Sequence, residues 1–218
     1  MASHPYYPPT AAIPLYTPNA TPTIQTIAIF GAIVGAVVVV AYNVLPTGSR
    51  FIDRFSASWF ALCAFLHLCF EGYYVVHRAE IAGMNTLFAQ LWKEYTLSDS
   101  RYLTLDTFTV CIEYITLICW GPLSLLTLLA IIKKHDLRHP LQIIVCTAHL
   151  YGVALYYATS EMDVTSYSRP EALYYWVYYV GFNAPWATVP FWLLWDSVGA
   201  ISNAFKASRE LEGSRKNI

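Results

Sequence analysis

Apolar residues in this chain come in long, nearly unbroken runs rather than in alternating or four-residue periods. Five runs stand out: Ile24 to Leu45, closing at Pro46; Ser58 to His77; Thr107 to Ile132, ending at Lys133 and Lys134; Pro140 to Thr159; and Ala172 to Trp195. Each is about as long as a helix needs to be to cross hydrocarbon, roughly 20 residues. Only helices and closed barrels satisfy their backbone groups there. The runs therefore predict an all-α fold, an integral membrane bundle of five transmembrane helices. Pro185 and Pro190 interrupt the last run, where a helix would kink and leave carbonyls without donors. Such breaks are tolerated against protein or a polar cavity. Gly31 and Gly35 in the first run form a GxxxG, which permits close helix approach. The connection Arg78 to Asp106 is too polar to cross and is expected to pack over the bundle mouth. Three regions follow: a Pro-rich N-terminal segment at 1–23, the membrane domain at 24–204 and a basic tail at 205–218. The first of these carries no Lys or Arg, so it does not read as a cleavable signal peptide. Its Tyr6, Tyr7 and Tyr16 suit the membrane interface.

Composition sharpens this picture. The chain has 218 residues, of which 56% are hydrophobic and 12% charged, with mean hydropathy +0.43. A soluble domain carries about twice that share of charge, and disorder needs far less apolar content. A net charge of -1 gives no cationic excess to displace counterions, so nucleic acid is not an expected partner. Cys63, Cys69, Cys111, Cys119 and Cys146 lie in apolar stretches without CxxC spacing and read as small buried hydrophobes. Arg50, Arg54, Lys133, Lys134, Arg138, Lys206, Arg209, Arg215 and Lys216 fall on one side of a five-span path. Arg78, Lys93, Arg101 and Arg169 fall on the other. Positive residues favour the cytosol, so the N-terminus is expected to be lumenal and the C-terminus cytosolic. A four-span path would move the N-terminus to the cytosol.

Few ionisable groups interrupt the apolar runs, and each costs about 2.5–3.5 kcal/mol on insertion scales, so each calls for a partner or a use. His67 and Glu71 are four residues apart and share one helix face. They read either as a bond pinning helix packing or as a proton-handling pair facing a cavity. Glu113 has Thr116 and Trp120 on its face and is the group type a general acid requires. The bland alternative is a carboxyl bonded to a neighbouring carbonyl. His149 reads as a satisfied core histidine; His77 and Asp196 lie near the interfaces and read as solvated. Asn183 and Trp186 are three apart in GFNAPW. The amide can orient a carboxyl or hydroxyl, and the mid-span indole offers a π face to a cation. No hydrolase, zinc-protease, phosphate-binding or dinucleotide motif is present. His67, His77 and His149 lack clustered spacing, so no metal and no cofactor is expected. Such a set, in a dry site reached from the bilayer, suits proton transfer on a lipid. An acid protonates an alkene, aromatic walls shelter the carbocation, and a base removes a different proton.

These residues also carry a resemblance. HLCFEGYYV at 67–75, LWKEYTLSDSRY at 91–102, DTFTVCIEYIT at 106–116, WGPLSL at 120–125, LYG at 150–152 and YYVGFNAPWATVP at 178–190 resemble the emopamil-binding protein family. Those are the Δ8-Δ7 sterol isomerases of the EXPERA superfamily. The HPYYP near the start and the later YTPN are similar as well. The resemblance implies a five-helix bundle with a lipid-accessible cavity, in the endoplasmic reticulum and nuclear envelope, typically a homodimer. It implies a cholestenol Δ-isomerase activity that protonates a sterol at C9 and removes a proton from C7. His67, Glu71 and Glu113 would handle protons, with Glu113 and His67 the exchanging pair and Glu71 their partner. Asn183, Trp186, Thr116, Tyr102, Tyr95 and Trp120 would bind substrate or carbocation, and Arg101 and Asp106 would support them. The partners implied are a bilayer sterol and cationic amphiphilic drugs acting as inhibitors. Pro185 beside Trp186, and His149 where Gln is expected, depart from the sterol enzymes and could reshape the cavity. Two other readings stand beside this one: a relative recruited to isomerise or cyclise a secondary metabolite, and a non-enzymatic sterol- or drug-binding protein.

Overall fold

The structure is a computed structural model that describes residues 4–216. Helices make up the bundle, and there is no strand among the described residues. In chain order they are α1 (Thr23–Asn43), α2 (Phe51–His77), a short α3 (Leu87–Tyr95), α4 (Thr107–Ile132), α5 (Arg138–Glu161) and α6 (Pro185–Lys216). Four of these, α1, α2, α4 and α5, are long and apolar enough to cross a membrane. The second begins earlier than the apolar pattern suggests, because Asp53 and Arg54 continue the helix below the hydrophobic run. The fourth also starts early, at Arg138, since Pro140 falls in its first turn, where no donor is lost.

The fifth apolar run is not one α-helix. It divides into a π-helical stretch, Leu173–Gly181, and the beginning of α6, with the turn at Ala184 just before Pro185. This segment still carries the chain across the bundle. At one end, the backbone of Ser100 and Arg169 joins the 162–171 loop to the α3 region. At the other, His139 Nδ1 lies 3.1 Å from Ser197 Oγ. The helix continues through residue 204 without a break, and its last turns are exposed.

Two more π-helical stretches interrupt α2 at Leu66–Glu71 and α4 at Thr116–Trp120. They face each other. A Cβ on Gly121 would stand 2.7 Å from Leu68 Cδ2 and 3.3 Å from His67 Cβ, so any larger residue would have to displace Leu68. In contrast, a Cβ on Gly31 or Gly35 would meet nothing within 4 Å. The GxxxG does not bring α1 against another helix of this chain, because Gly31 borders the cavity described below.

The core is split. One cluster holds Leu45, Ala57, Phe60, Cys63, Ile131, Val145, Cys146 and Leu193. The other is aromatic, with Tyr6, Tyr74, Trp92, Tyr102, Tyr156 and Tyr179. Tyr6 packs inside the protein: it is buried, edge-on to Tyr16, and donates from its hydroxyl to the Lys93 carbonyl at 3.1 Å. Of the cysteines, only Cys63 and Cys146 are buried; Cys69, Cys111 and Cys119 lie on the apolar outer faces, which helix amphipathicity could not separate in runs that are apolar all round. Large exposed side chains such as Ile118 and Trp195 mark that outer surface, as expected of a surface facing lipid.

The connection between α2 and α4 packs as an ordered cap. Lys93 is buried and donates from Nζ to the Thr17 carbonyl and Asn85 Oδ1. Arg101 and Asp99 form a fully buried ion pair at 2.7 Å. The guanidinium also donates to Thr159 Oγ1 and lies over the Tyr156 ring, tying the cap to α5.

Candidate active site

A cavity of about 550 Å3 lies between the two core clusters, within the size range of ligand-binding pockets. The three π-helical stretches all contribute to its wall: His67 and Glu71 from α2, Thr116 and Trp120 from α4, and Tyr178 and Gly181 from the third. π-bulges re-aim side chains within a helix and recur at functional sites. Glu71 Oε2 lies 2.8 Å from His67 Nδ1 across the first stretch. Glu113 is buried on the last α-helical turn before the second. Its carboxyl stands beside Glu71 and the Tyr102 hydroxyl, and its Oε2 has no hydrogen-bond partner. Two carboxyls and an imidazole thus share one enclosed space.

The remaining wall is aromatic and amide. Tyr95, Tyr102, Trp120, Asn183 and Trp186 all line the cavity. Asn183 Nδ2 donates to the Tyr179 carbonyl at 2.7 Å and to Tyr95 Oη at 3.2 Å. Trp186 packs against Trp59, with ring centroids 5.3 Å apart. Thr116 borders the space too, but its hydroxyl donates back to the Ile112 carbonyl. The rim includes Ile27 and Phe182, about half exposed on the apolar outside.

Two sequence-derived candidates lie elsewhere. Asp106 is the N-cap of α4, accepting from the Thr109 amide at 3.0 Å. Arg101 is held by Asp99, behind the tyrosine wall. Both support the cap and neither lines the cavity.

Sequence reasoning missed two members of the cavity wall. Glu94 lines the cavity and accepts from Thr23 Oγ1 and the Tyr178 hydroxyl. It sits inside LWKEYTLSDSRY, so its motif was visible while its direction was not. His149 is not a self-contained core histidine: its Nε2 lies 3.0 Å from His67 Nε2, it borders the cavity, and its Nδ1 is buried without a partner. Cys63 joins it. One ligand atom from each of Cys63, His67 and His149 lies within 4.8 Å of the others. Linear spacing could not reveal this cluster because α2 and α5 supply it jointly. At the far end, Asp196 is half-buried with one carboxyl oxygen unpartnered, so it is not simply solvated.

Residues 87–197 match the family model described as EXPERA (EXPanded EBP superfamily). The chain is 35% identical over 202 residues to the 3-beta-hydroxysteroid-Delta(8),Delta(7)-isomerase of Cavia porcellus, covering 89% of this chain and 87% of that one. The chain belongs to the EXPERA superfamily. Within it, similarity extends to a probable 3-beta-hydroxysteroid-Delta(8),Delta(7)-isomerase of Oryza sativa, 30% identical over 94% of this chain and 95% of the relative. It extends also to isomeliandiol synthase of Melia azedarach, 35% identical over 69% and 72%. The EXPERA match runs from α3 into α6. Glu113, His149, Asn183 and Trp186 therefore lie inside it, and His67 and Glu71 lie before it, within the longer pairwise similarity.

Proposed function

We propose that this protein is a membrane-embedded sterol isomerase that moves a C8–C9 double bond to C7–C8. The observation that carries the reading is the shared enclosure of Glu113 with the Glu71–His67 pair under an aromatic wall. Donation of a proton to C9 leaves a carbocation at C8. Loss of a proton from C7 then forms the new double bond, so the substrate gains and loses one proton and no co-reactant is consumed. Glu113 and His67 exchange the protons, and Glu71 holds the His67 ring by its Nδ1. Trp186 and Trp120 present π faces to the cation, and the apolar lining keeps out water that would capture it as an alcohol. The half-exposed rim at Ile27 and Phe182 offers a sterol a route from the bilayer. Amphiphilic amines are expected inhibitors because an ammonium mimics the carbocation. Homology to sterol enzymes favours the endoplasmic reticulum membrane, and the distribution of Lys and Arg favours a lumenal N-terminus.

The test is conversion of zymostenol by the purified protein in heavy water. Conversion with one deuterium gained at C9 is expected. Glu113→Gln should lower turnover by about 10²–10⁴-fold while sterol binding persists, and normal turnover by that variant would remove Glu113 from the mechanism. A second reading is favoured by the similarity to isomeliandiol synthase: the same acid–base set acting on another polycyclic lipid. A folded protein that binds zymostenol without converting it, yet isomerises a triterpenoid, would select that reading. Sterol binding with no deuterium uptake into any substrate would leave only a binding protein.

A further inference from the structure

We infer that Cys63, His67 and His149 form a site for a soft divalent cation, with Zn2+ the reference ion, in the seam between α2 and α5. The ligand types suit it: one thiol and two imidazoles, with no oxygen donors of the kind that hold Mg2+ or Ca2+. Cys63 and His67 are one helical turn apart and project from the same face of α2. His149 meets them from α5, with the two Nε2 atoms 3.0 Å apart. Two ring nitrogens this close need a positive centre between them, either a proton belonging to one ring or a cation. Zinc bonds of roughly 2.0–2.1 Å to nitrogen and 2.3 Å to sulfur place tetrahedral ligands about 3.3–3.6 Å apart. The present separations, all within 4.8 Å, therefore ask the ligand atoms to close by about an ångström at most.

Two further features favour a divalent ion. Glu71 fixes the His67 ring through Nδ1, at 2.8 Å, and turns Nε2 toward the cluster. A carboxylate behind a ligating histidine orients metal sites in this way. Charge also balances. A divalent cation, the Cys63 thiolate formed by loss of its proton, and an ionised Glu71 sum to zero when the neighbouring Glu113 is protonated, which matters where unpaired charge is costly. The cluster is enclosed on the Cys63 side and borders the cavity on the side of the two histidines. A bound ion would take the Nε2 lone pair of His67 and block its use as a base. That consequence rests on the isomerase reading; the binding does not.

The test uses the purified full chain in detergent, titrated with Co2+ as the optical substitute for zinc. One equivalent should give a near-ultraviolet thiolate-to-cobalt absorption together with visible d–d bands, both lost on adding Zn2+. Cys63→Ser and His149→Ala should each lose the thiolate band, while Cys146→Ser, a buried cysteine outside the cluster, should keep it. Glu71→Gln should weaken binding by about 10–100-fold. Thermal unfolding identifies any variant that fails to fold, and the remaining variants then decide. Absence of the band in the wild-type chain, or its survival in folded Cys63→Ser, would overturn the proposal. In the sterol assay, Zn2+ should inhibit reversibly by chelator, and Cys63→Ser should turn over normally but resist zinc. Equal zinc sensitivity in that variant would also count against the site. A cobalt band in a protein that turns over no sterol would leave the site standing and remove the isomerase reading instead.

Discussion

Trp186 shows what a single side chain is expected to do here. Its indole lines the cavity and is braced by Trp59, so its π face is held in place before substrate arrives. A cation exists only along the reaction path, so its stabilisation should raise turnover without tightening ground-state binding. Trp186→Leu keeps an apolar wall and removes the ring. It should lower kcat about tenfold, from roughly 1–2 kcal/mol of lost cation–π attraction, with KM little changed; steady-state kinetics checks this. Much of the cavity wall was legible residue by residue, because an ionisable group in an oily run is conspicuous. His67, Glu71 and Glu113 were visible for that reason. Cys63 and Glu94 were not: a cysteine in oil looks like any small hydrophobe, and Glu94 lies in a polar connection where a carboxylate is unremarkable. His149 was visible, yet its partner is 82 residues away, and no local pattern carries such a contact.

At the scale of elements, the apolar runs fixed which segments would be helical but not how those helices are wound. Period-based reading assumes 3.6 residues per turn, and the three π-helical stretches depart from it where the cavity needs wall. Their fit depends on Gly121. Gly121→Ala would drive a methyl into Leu68 and against His67, and overpacking of this kind costs about 1–3 kcal/mol. A lowered Tm together with reduced turnover is expected, since the displaced atoms belong to the α2 stretch that carries His67. The cap helix α3 offers a pH test. Burial lowers the Lys93 ammonium from its ordinary value near 10.5 to about 8. Between those values the unfolded chain holds the proton and the folded one has released it, so this residue makes stability rise with pH across that window. Thermal unfolding at pH 7.5–10.5 should show the wild-type Tm gaining on that of Lys93→Met as pH rises. Parallel curves would remove Lys93 as the source.

Across the whole molecule, two cores are separated by a mainly apolar cavity that holds a few buried ionisable groups, and the capping connection holds one end closed. The Asp99–Arg101 pair anchors that cap, and both partners are almost wholly buried. Asp99→Asn would strand a buried guanidinium, which costs about 3–5 kcal/mol. Chemical denaturation in detergent should register the loss, and cavity function should fall with it because Tyr95 and Tyr102 hang from the same connection. The all-helical membrane architecture was legible in the sequence because lipid permits so few alternatives. The arrangement of the cap was not, since its stability comes from long-range hydrogen bonds that carry no periodic signature.

Those bonds set an order of events. Tyr6, Thr17, Asn19 and Thr21 are stitched to Gln90 and Lys93, and Ser100 reaches back to Tyr7, over separations of 69–93 residues. None of these ties can form until α1, α2 and α3 have all been synthesised. Residues 4–21 precede all three helices in the chain and must wait, without their partners, until those helices are made.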